Sequence, residues 1–190
     1  MSETLGVMFL FFPLLGGAAF HGLCMKFNWL GFLAYPIDGG KTFRGKPIFG
    51  PNKTIRGIVC VGVGTAILFV LQSDLLHFVP AFRSIELFDY GRENGWLLGF
   101  ALGTSAMLSE LPNSFVKRQL NVAPGEPASG AVQSLFYFVD QLDLLLGAWI
   151  VLAFVHAVTL QRVALSIIII FVMHQLVTQT GYVLGVRAPR

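Results

Sequence analysis

Two aspartates, Asp140 and Asp143, stand three residues apart just before a long apolar run. On a helix, side chains at positions i and i+3 share a face, with β-carbons roughly 5–6 Å apart. Mg²⁺ keeps several of its waters and takes one or two carboxylates together with substrate phosphates. The spacing therefore predicts that the pair binds one hydrated magnesium ion or bridges two. The alternative is that the two acids only complement the positive end of a helix dipole.

A second polar cluster closes an earlier apolar run and contains Glu110, Ser114, Lys117 and Arg118. A carboxylate at the end of a membrane segment is costly unless it is paired, hydrated or bound to a metal, so Glu110 is a candidate metal ligand. The alternative is that Glu110 only caps the segment in water. Lys117 and Arg118, taken alone, are equally explained as side chains that snorkel from a helix end.

A third stretch, between residues 36 and 57, alternates glycines with cationic and hydroxyl side chains. Glycines let backbone amides approach phosphate oxygens closely, and the side chains add further donors, so the composition suits a polyphosphate. The candidate phosphate-binding residues are Lys41, Arg44, Lys46, Lys53, Thr54 and Arg56. This is not a Walker A loop, because Tyr35 stands where that motif needs its first glycine. The alternative is that the charges only set membrane topology and attract anionic headgroups.

The elements that must position these residues come from a very apolar chain. Of its 190 residues, 55% are hydrophobic and only 12% are charged, against about 25% charged in soluble domains, and the mean hydropathy is +0.71. These numbers exclude a soluble fold, disorder, collagen and a coiled coil. Cys24 and Cys60 lie in apolar runs without metal spacing, so we expect neither a disulfide framework nor a zinc site.

Apolar runs predict an all-α integral membrane protein with about five transmembrane helices, since a bilayer span needs ~20 apolar residues. The predicted spans are 5–25, 58–71, 96–116, 144–160 and 163–184. We interpret residues 1–190 as a single polytopic membrane domain with polar loops at about 26–57 and 110–143. Only Gln161 and Arg162 separate the last two spans, which predicts a tight antiparallel hairpin.

The basic residues are unevenly distributed between the two sides that these spans define. Ten of them fall in the loops 26–57 and 110–143 and in the C-terminal tail, whereas Arg83, Arg92 and Arg162 fall in the other connections. Cytoplasmic loops carry the excess of Lys and Arg. We therefore expect a multi-pass protein of the cell membrane, with the N-terminus outside and the C-terminus and all three polar clusters in the cytoplasm. For the histidines at 21, 156 and 174, packing is the expected role.

Together these stretches resemble the signature of the CTP:phosphatidate cytidylyltransferases. Ser114-Phe-Val-Lys117-Arg118 is followed, after a linker containing Pro and Gly, by Asp140-Gln-Leu-Asp143. The earlier loop reads Asp38-Gly-Gly-Lys-Thr-Phe-Arg-Gly-Lys-Pro-Ile-Phe-Gly-Pro-Asn-Lys-Thr-Ile-Arg-Gly. In a chain this short, the pattern looks like the small branch of that superfamily, the CDP-archaeol synthases, over roughly residues 35–187.

The chain departs from the family pattern in three places. Ser109-Glu110 stands where the family usually has Gly-Asp, and the linker between Gln119 and Val139 is longer than usual. His174 is followed by Thr178 where a His-x-x-x-Asn pattern is expected.

The resemblance implies an integral membrane enzyme that uses CTP and magnesium to convert a lipid phosphate into a CDP-activated lipid, with release of pyrophosphate. The lipid would be an archaeal-type prenyl ether glycerol phosphate or phosphatidate, reached from the bilayer, and no nucleic acid is expected as a partner. In this scheme Asp140, Asp143 and Glu110 hold the metal. Ser114, Lys117 and Arg118 contact phosphates as catalytic residues, and the basic residues of the 36–57 loop gather the triphosphate or the lipid phosphate.

Other classes of protein explain less of the pattern. A membrane transporter also uses intramembrane acids, but the chain has no internal repeat and its acids cluster on one face. A noncatalytic protein that binds anionic lipids does not account for the acidic pair. A CDP-alcohol phosphotransferase also begins with an Asp-Gly pair, yet its later Ala-Arg and spaced aspartates have no counterpart after Asp38-Gly39.

Overall fold

The computed structural model describes residues 2–88, 94–126, 128–155 and 157–183 and is built from five long helices. These are α1 (Ser2–Lys26), α2 (Ile55–Phe78), α3 (Gly95–Gln119), α4 (Gln133–Phe154) and α5 (Leu160–Val183). A small antiparallel hairpin, β1 (Thr42–Phe43) with β2 (Lys46–Pro47), lies between α1 and α2. Short 3₁₀ turns occur at Gly31–Leu33, Pro80–Ile85 and Gly130–Val132. The prediction of an all-α membrane protein is confirmed.

Three of the described helical segments are long and apolar enough to cross a membrane: Glu3–Lys26, Ile55–Phe78 and Gly130–Phe154. Leu160–Val172 is a shorter apolar helix. Helix α3 is long enough, but its C-terminal half carries acidic, basic and amide side chains, so it falls short of the composition of a span. The count of five membrane spans therefore stays a prediction.

The predicted end of the second span at Leu71 was wrong, because α2 continues to Phe78. The polar residues that suggested a loop are part of the helix, and Gln72 and Ser73 are buried in it. Gln72 Nε2 donates to the backbone oxygen of Phe9 in α1 at 2.6 Å. A buried polar side chain is tolerated when it is hydrogen-bonded, and a criterion based on apolar runs cannot foresee such a partner.

The second polar loop, predicted at about 110–143, is much shorter than expected. Helix α3 continues to Gln119 and α4 begins at Gln133 rather than Leu144, ending at Phe154 rather than Leu160. The candidate residues of this region therefore lie on helices. The predicted turn at Gln161 and Arg162 was also wrong, since Thr159 Oγ1 accepts from the Arg162 amide at 3.2 Å and caps α5 before both residues.

Helix α2 lies between α1 and α3 with their backbones in contact. A Cβ atom added at Gly17 of α1 or at Gly103 of α3 would in either case lie 2.7 Å from the backbone oxygen of Val61. Only glycine fits at such a distance, so the three helices form a close-packed slab. The apolar core beside it includes Leu10, Phe11, Phe69, Leu102 and Leu152.

Arg162 joins the ends of several elements opposite the polar clusters. Its guanidinium donates to Glu3 in α1, at 3.2 Å from Nε, and to the backbone oxygens of Leu87 and Ala157 at 3.2 and 2.9 Å. The start of α1, the chain before α3 and the turn before α5 therefore meet at one end of the molecule. When consecutive helices are antiparallel, the starts of α1, α3 and α5 lie at the same end of the bundle, as they do here.

The residues expected to have packing roles are placed as follows. Cys24 and Cys60 are free and buried. His21 lies against the start of α2, since a Cβ at Gly57 would be 3.6 Å from its ring. His156 and Arg92, with the side chains of His174 and Thr178, lie outside the described residues.

Candidate active site

Helices α3 and α4 bring an amide into contact with both aspartates. Asn113 Nδ2 donates to Asp140 Oδ1 at 2.7 Å and to Asp143 Oδ2 at 2.8 Å. Asp143 also accepts from the Leu144 amide at 2.7 Å. The two carboxylates therefore share one face of α4, as their spacing predicts. Close packing holds this arrangement, because a Cβ at Gly147, one turn further along α4, would lie 2.6 Å from Ser109 Oγ.

Lys117 provides the counter-charge for this acidic pair. Its ammonium forms an ion pair with Asp140 and reaches Asp140 Oδ2 at 2.6 Å. It also lies 5.5 Å from the centre of the Phe136 ring, within cation–π range. Because Lys117 follows Asn113 by four residues, both side chains leave α3 on the face that meets α4.

Ser114 and Arg118 share a neighbouring face of α3, and both are buried. Arg118 is only 6% exposed, yet its Nε and Nη1 atoms donate no hydrogen bond within the described part of the chain. Burying a charged donor without a partner is costly. An anion such as a phosphate would satisfy both atoms at once, since a guanidinium binds phosphate oxygens in pairs.

Glu110 contacts a different residue from those that contact the two aspartates. Its carboxylate forms an ion pair with Lys53, the residue that precedes the cap of α2. Both side chains are mostly buried, at 23% and 17% exposed. Lys53 is thereby joined to α3, so one cation predicted to bind phosphate and one acid predicted to bind metal are paired with each other.

The chemistry of the donor set fits a hydrated divalent cation. Asp140 and Asp143 supply two carboxylates, which is the number that Mg²⁺ ordinarily takes from a protein. The Oδ1 atom of Asn113 is buried beside them and accepts no hydrogen bond from the described residues. Within the described ranges, no three His, Cys, Asp or Glu side chains come together in an arrangement suited to a metal. The remaining ligands of a cation here would therefore be water or substrate oxygens.

Asp38 organises the glycine-rich loop between α1 and α2. Its Oδ1 accepts from the Gly40 amide at 2.9 Å, and its Oδ2 accepts from the amides of Phe49 and Gly50 at 2.8 and 3.1 Å. Burial alone would raise the pKa of this carboxyl, but the backbone hydrogen bonds favour the charged form and the pKa is lowered. These three amides therefore bind Asp38 and are not free for a phosphate.

The hairpin of this loop is anchored to the C-terminal end of α3. Lys46 Nζ donates to the backbone oxygen of Gln119 at 2.5 Å, and Gln119 Nε2 donates to the Pro47 oxygen at 3.3 Å. Phe43 packs against Phe115 with ring centres 5.7 Å apart, and the Arg44 guanidinium lies over the Phe43 ring at 5.2 Å. The hairpin is thus held beside the turn of α3 that carries Lys117 and Arg118.

The remaining predicted residues of the loop have different surroundings. Thr54 Oγ1 accepts from the Gly57 amide at 3.2 Å and caps α2. Arg56 Nη1 donates to Asn28 Oδ1 at 3.2 Å, while its buried Nε donates to no described residue. Lys41 is exposed, and its ammonium makes no ion pair with the described residues.

Two residues that organise the site, Asn113 and Asp38, were not assigned roles from the sequence. Asn113 stands four residues before Lys117, which places both on one helical face. Asp38 stands two residues before Gly40, the spacing of an aspartate that accepts from a backbone amide in a turn. Each signal is recognisable only once the helix and the turn are known.

The sequence matches a known family of membrane enzymes over most of its length. The profile of the CarS-like CDP-archaeol synthase family matches residues 26–189. The chain belongs to the CDP-archaeol synthase family. This membership confirms the resemblance noted in the sequence, and with it a CTP-dependent cytidylyltransferase, in preference to a transporter or a noncatalytic lipid-binding protein.

Individual relatives in this family cover most of the chain. A CDP-archaeol synthase of Methanococcoides burtonii is 32% identical over 161 residues, which are 80% of this chain and 87% of the relative. One of Pyrococcus furiosus is 33% identical over 73% of each chain. One of Thermococcus gammatolerans is 40% identical over 65% of this chain and 61% of its own.

The fold is similar to that of a protein of known structure. That protein is described as an intramembrane enzyme for archaeal membrane lipids biosynthesis. The match has a TM-score of 0.61 at 20% sequence identity and covers 90% of this chain and 91% of that one. At this identity the likeness concerns the fold, and it supports a multi-pass membrane protein.

Proposed function

We propose that this CDP-archaeol synthase family member transfers the cytidylyl group of CTP to an archaeal-type lipid phosphate, a prenyl ether glycerol phosphate. The reaction would take place where α3, α4 and the loop between α1 and α2 meet. The names of the relatives support the choice of lipid, since they are CDP-archaeol synthases. Phosphatidate, whose chains are ester-linked, is the substrate to be tested against it.

The step is an in-line displacement at the α-phosphorus of CTP. An oxygen of the lipid phosphate forms a bond to this phosphorus, and the bond from the phosphorus to the oxygen bridging to the β-phosphate breaks. Pyrophosphate leaves with that electron pair. The attacking phosphate is already anionic at neutral pH, so no strong general base is needed. Catalysis of such a transfer consists mainly of positioning and of neutralising charge.

The observation that carries this proposal is the buried guanidinium of Arg118. Its Nε and Nη1 atoms lack partners within the described residues, although the residue is 6% exposed. A substrate phosphate would provide the missing acceptors. Lys117, on the neighbouring face of α3, is paired with Asp140, so a phosphate on Arg118 would lie on the same turn of α3 as the cation that contacts the acidic pair. Ser114, one turn earlier, would add a hydroxyl donor.

We assign Mg²⁺ to Asp140 and Asp143, whose carboxylates Asn113 holds together. When bound, the cation would neutralise charge on the triphosphate and on departing pyrophosphate. Glu110 would join the metal only when its ion pair with Lys53 opens. Lys53 would then be free to bind a phosphate, so the two predicted roles are linked.

Apart from Lys53, the candidate phosphate-binding residues of the loop divide into two groups in this proposal. Lys41, Arg44 and Arg56 would bind the triphosphate or the lipid phosphate, since Lys41 is exposed and Arg56 Nε has no described partner. Lys46 and Thr54 would shape the loop, because the first is bonded to Gln119 and the second caps α2.

The orientation we propose is that of a single polytopic domain, residues 1–190, with its site in the cytoplasm. CTP would arrive from water while the lipid chains stay in hydrocarbon. Cysteine labelling in intact cells, in a background without Cys24 and Cys60, tests this. A cysteine added after Arg190 should be protected from an impermeant reagent and one at Ser84 should react. Reaction at residue 190 with protection at 84 would overturn the orientation.

The activity is tested with the purified full-length protein, radiolabelled CTP, Mg²⁺ and one lipid phosphate at a time. Chromatography should show a labelled CDP-lipid and stoichiometric pyrophosphate with the prenyl ether lipid. Arg118→Lys keeps the charge but loses the paired donors, and we expect its rate to fall at least tenfold, whereas Arg83→Lys at the other end of the molecule should not change it. Product from phosphatidate alone would overturn the choice of lipid, and an undiminished rate for Arg118→Lys would overturn its role.

A further inference from the structure

One amide contacts both carboxylates of the proposed metal site. The two N–H groups of Asn113 are used on Asp140 Oδ1 and Asp143 Oδ2, at 2.7 and 2.8 Å. In this orientation the two N–H groups meet two carboxylate oxygens, which accept hydrogen bonds, whereas the opposite orientation would set the amide oxygen against both. Asn113 is 9% exposed, so water does not compete freely for these contacts.

The other end of the same amide is unsatisfied. Asn113 Oδ1 is buried and accepts no hydrogen bond from the described residues. Lys117 offsets the charge of Asp140, but an amide oxygen buried without a partner is unfavourable in the protein alone. A hydrated divalent cation at the two carboxylates would supply donors for this oxygen, since carboxylate and amide oxygens are the groups that Mg²⁺ and its bound waters prefer.

We propose that Asn113 is a positioning residue for the divalent cation of this enzyme. Its N–H groups keep Asp140 and Asp143 converged before the cation binds, and its Oδ1 atom then acts as an acceptor for the cation's hydration shell. This inference rests on the proposed metal site. It adds a residue on α3 to a site whose carboxylates both come from α4, so the distance between the two helices sets the geometry of the site.

The test is Mn²⁺ binding to the purified protein without substrates, followed by electron paramagnetic resonance of the free ion. Removing a hydrogen-bond partner of a metal ligand typically lowers affinity by about 10–100-fold. We expect Asn113→Ala to weaken Mn²⁺ binding at least tenfold and to raise the Mg²⁺ concentration for half-maximal rate by a similar factor. Its rate at saturating Mg²⁺ should return to within about threefold of the wild-type rate, because no reacting atom has been removed.

Asn113→Leu separates this role from simple packing, since it keeps roughly the size of the side chain but has neither the N–H donors nor the Oδ1 acceptor. We expect it to weaken Mn²⁺ binding at least tenfold, as the alanine variant does, whereas a packing role predicts binding as in the wild type. Asn94→Ala, at the other end of α3, is the matched control and should leave both measurements unchanged. Circular dichroism and size-exclusion profiles establish that each variant is folded, and Asn113→Ser replaces the alanine variant if the latter aggregates.

The outcomes separate the inference from the proposed function. If Asn113→Ala or Asn113→Ser binds Mn²⁺ as the wild type does, or loses rate equally at every Mg²⁺ concentration, the inference is overturned and the metal site stands. If the wild type itself does not bind Mn²⁺ while it turns over CTP, the metal site is wrong and the inference falls with it.

Discussion

Lys53, on the loop before α2, and Glu110, just past the middle of α3, form an ion pair that joins the glycine-rich loop to the helix bundle. Both partners are mostly buried, so removing either one leaves a charge without its counter-charge, which is strongly unfavourable away from water. The pair therefore has a structural role in the absence of substrate, whatever each residue does once substrate binds.

A double-mutant cycle on this pair measures that role. We expect Lys53→Met and Glu110→Gln each to lower the thermal unfolding midpoint, with a coupling of about 1–3 kcal/mol between them. The double variant should recover most of the midpoint, since no unpaired charge remains. Activity should not recover with it, because Lys53 is proposed to bind a phosphate. Recovery of both would mean that the pair is structural only, and additive losses of stability would mean that it contributes nothing.

Replacing either aspartate of α4 tests the metal assignment. We expect Asp140→Asn and Asp143→Asn each to lower the rate at least about 100-fold at limiting Mg²⁺, because a metal-bound transition state is stabilised by several kcal/mol. The measurement is cytidylyl transfer by protein whose membrane insertion and elution profile match those of the wild type. Glu126→Gln, in the exposed loop after α3, is the control for loss of one acid. A variant with a near-normal rate would make its aspartate a helix residue without a catalytic role.

Lys41 and Lys46 distinguish phosphate binding from loop structure. Lys41→Gln should raise the KM for CTP or for the lipid at least about fivefold while the unfolding midpoint stays unchanged, because its ammonium is exposed and makes no described ion pair. Lys46→Gln should instead lower the midpoint by a few degrees, since its ammonium binds the Gln119 oxygen. The loss of one charge-assisted hydrogen bond is worth about 1.5–3 kcal/mol. The same mild effect at both positions would favour a role in topology alone.

Contact between the backbones of α2 and α3 predicts a large effect from one added methyl group. Gly103→Ala would place Cβ 2.7 Å from the Val61 oxygen and 2.8 Å from Thr65 Oγ1. Overpacking of this kind typically costs about 1–3 kcal/mol, so we expect a clear drop in the unfolding midpoint. Gly22→Ala in α1 is the control, because no atom lies within 4 Å of its added Cβ. Equal midpoints for the two variants would contradict the close packing.

Asp38 gives the stability of the loop a defined pH dependence. Its pKa is lowered in the folded protein, so the unfolded chain takes up the proton first as pH falls. The contribution of Asp38 is therefore present above its unfolded pKa, near 3.9 for an ordinary aspartate, and is lost as pH falls through the folded pKa. The midpoint of Asp38→Asn should lie below that of the wild type at pH 7, and the difference should shrink below about pH 4. A constant difference would contradict this account.

The membrane fold, the enzyme family and the identity of most polar residues around α3 and α4 can be predicted from the sequence, because they depend on composition and short motifs. The end of α2 and the start of α4 cannot, since Gln72 and Asp140 look like loop residues until their partners on α1 and α3 are known. For the same reason the pairing of Glu110 with Lys53 was missed, because the two residues are brought together only by the packing of α2 on α3. Asn113 was missed because an amide has no charge to mark it.

The hydrogen bonds from backbone amides to Asp38 affect the rate at which a ligand can associate with the loop. Gly40, Phe49 and Gly50 are fixed by one carboxylate, so the conformational entropy of this part of the backbone is lost when the protein folds. A ligand that binds to the side chains around this loop does not have to order that backbone again, which is the advantage of preorganisation. Its association rate is then set by diffusion and long-range attraction to the surrounding cations, so it should fall as ionic strength rises and change little with solvent conditions that loosen flexible loops.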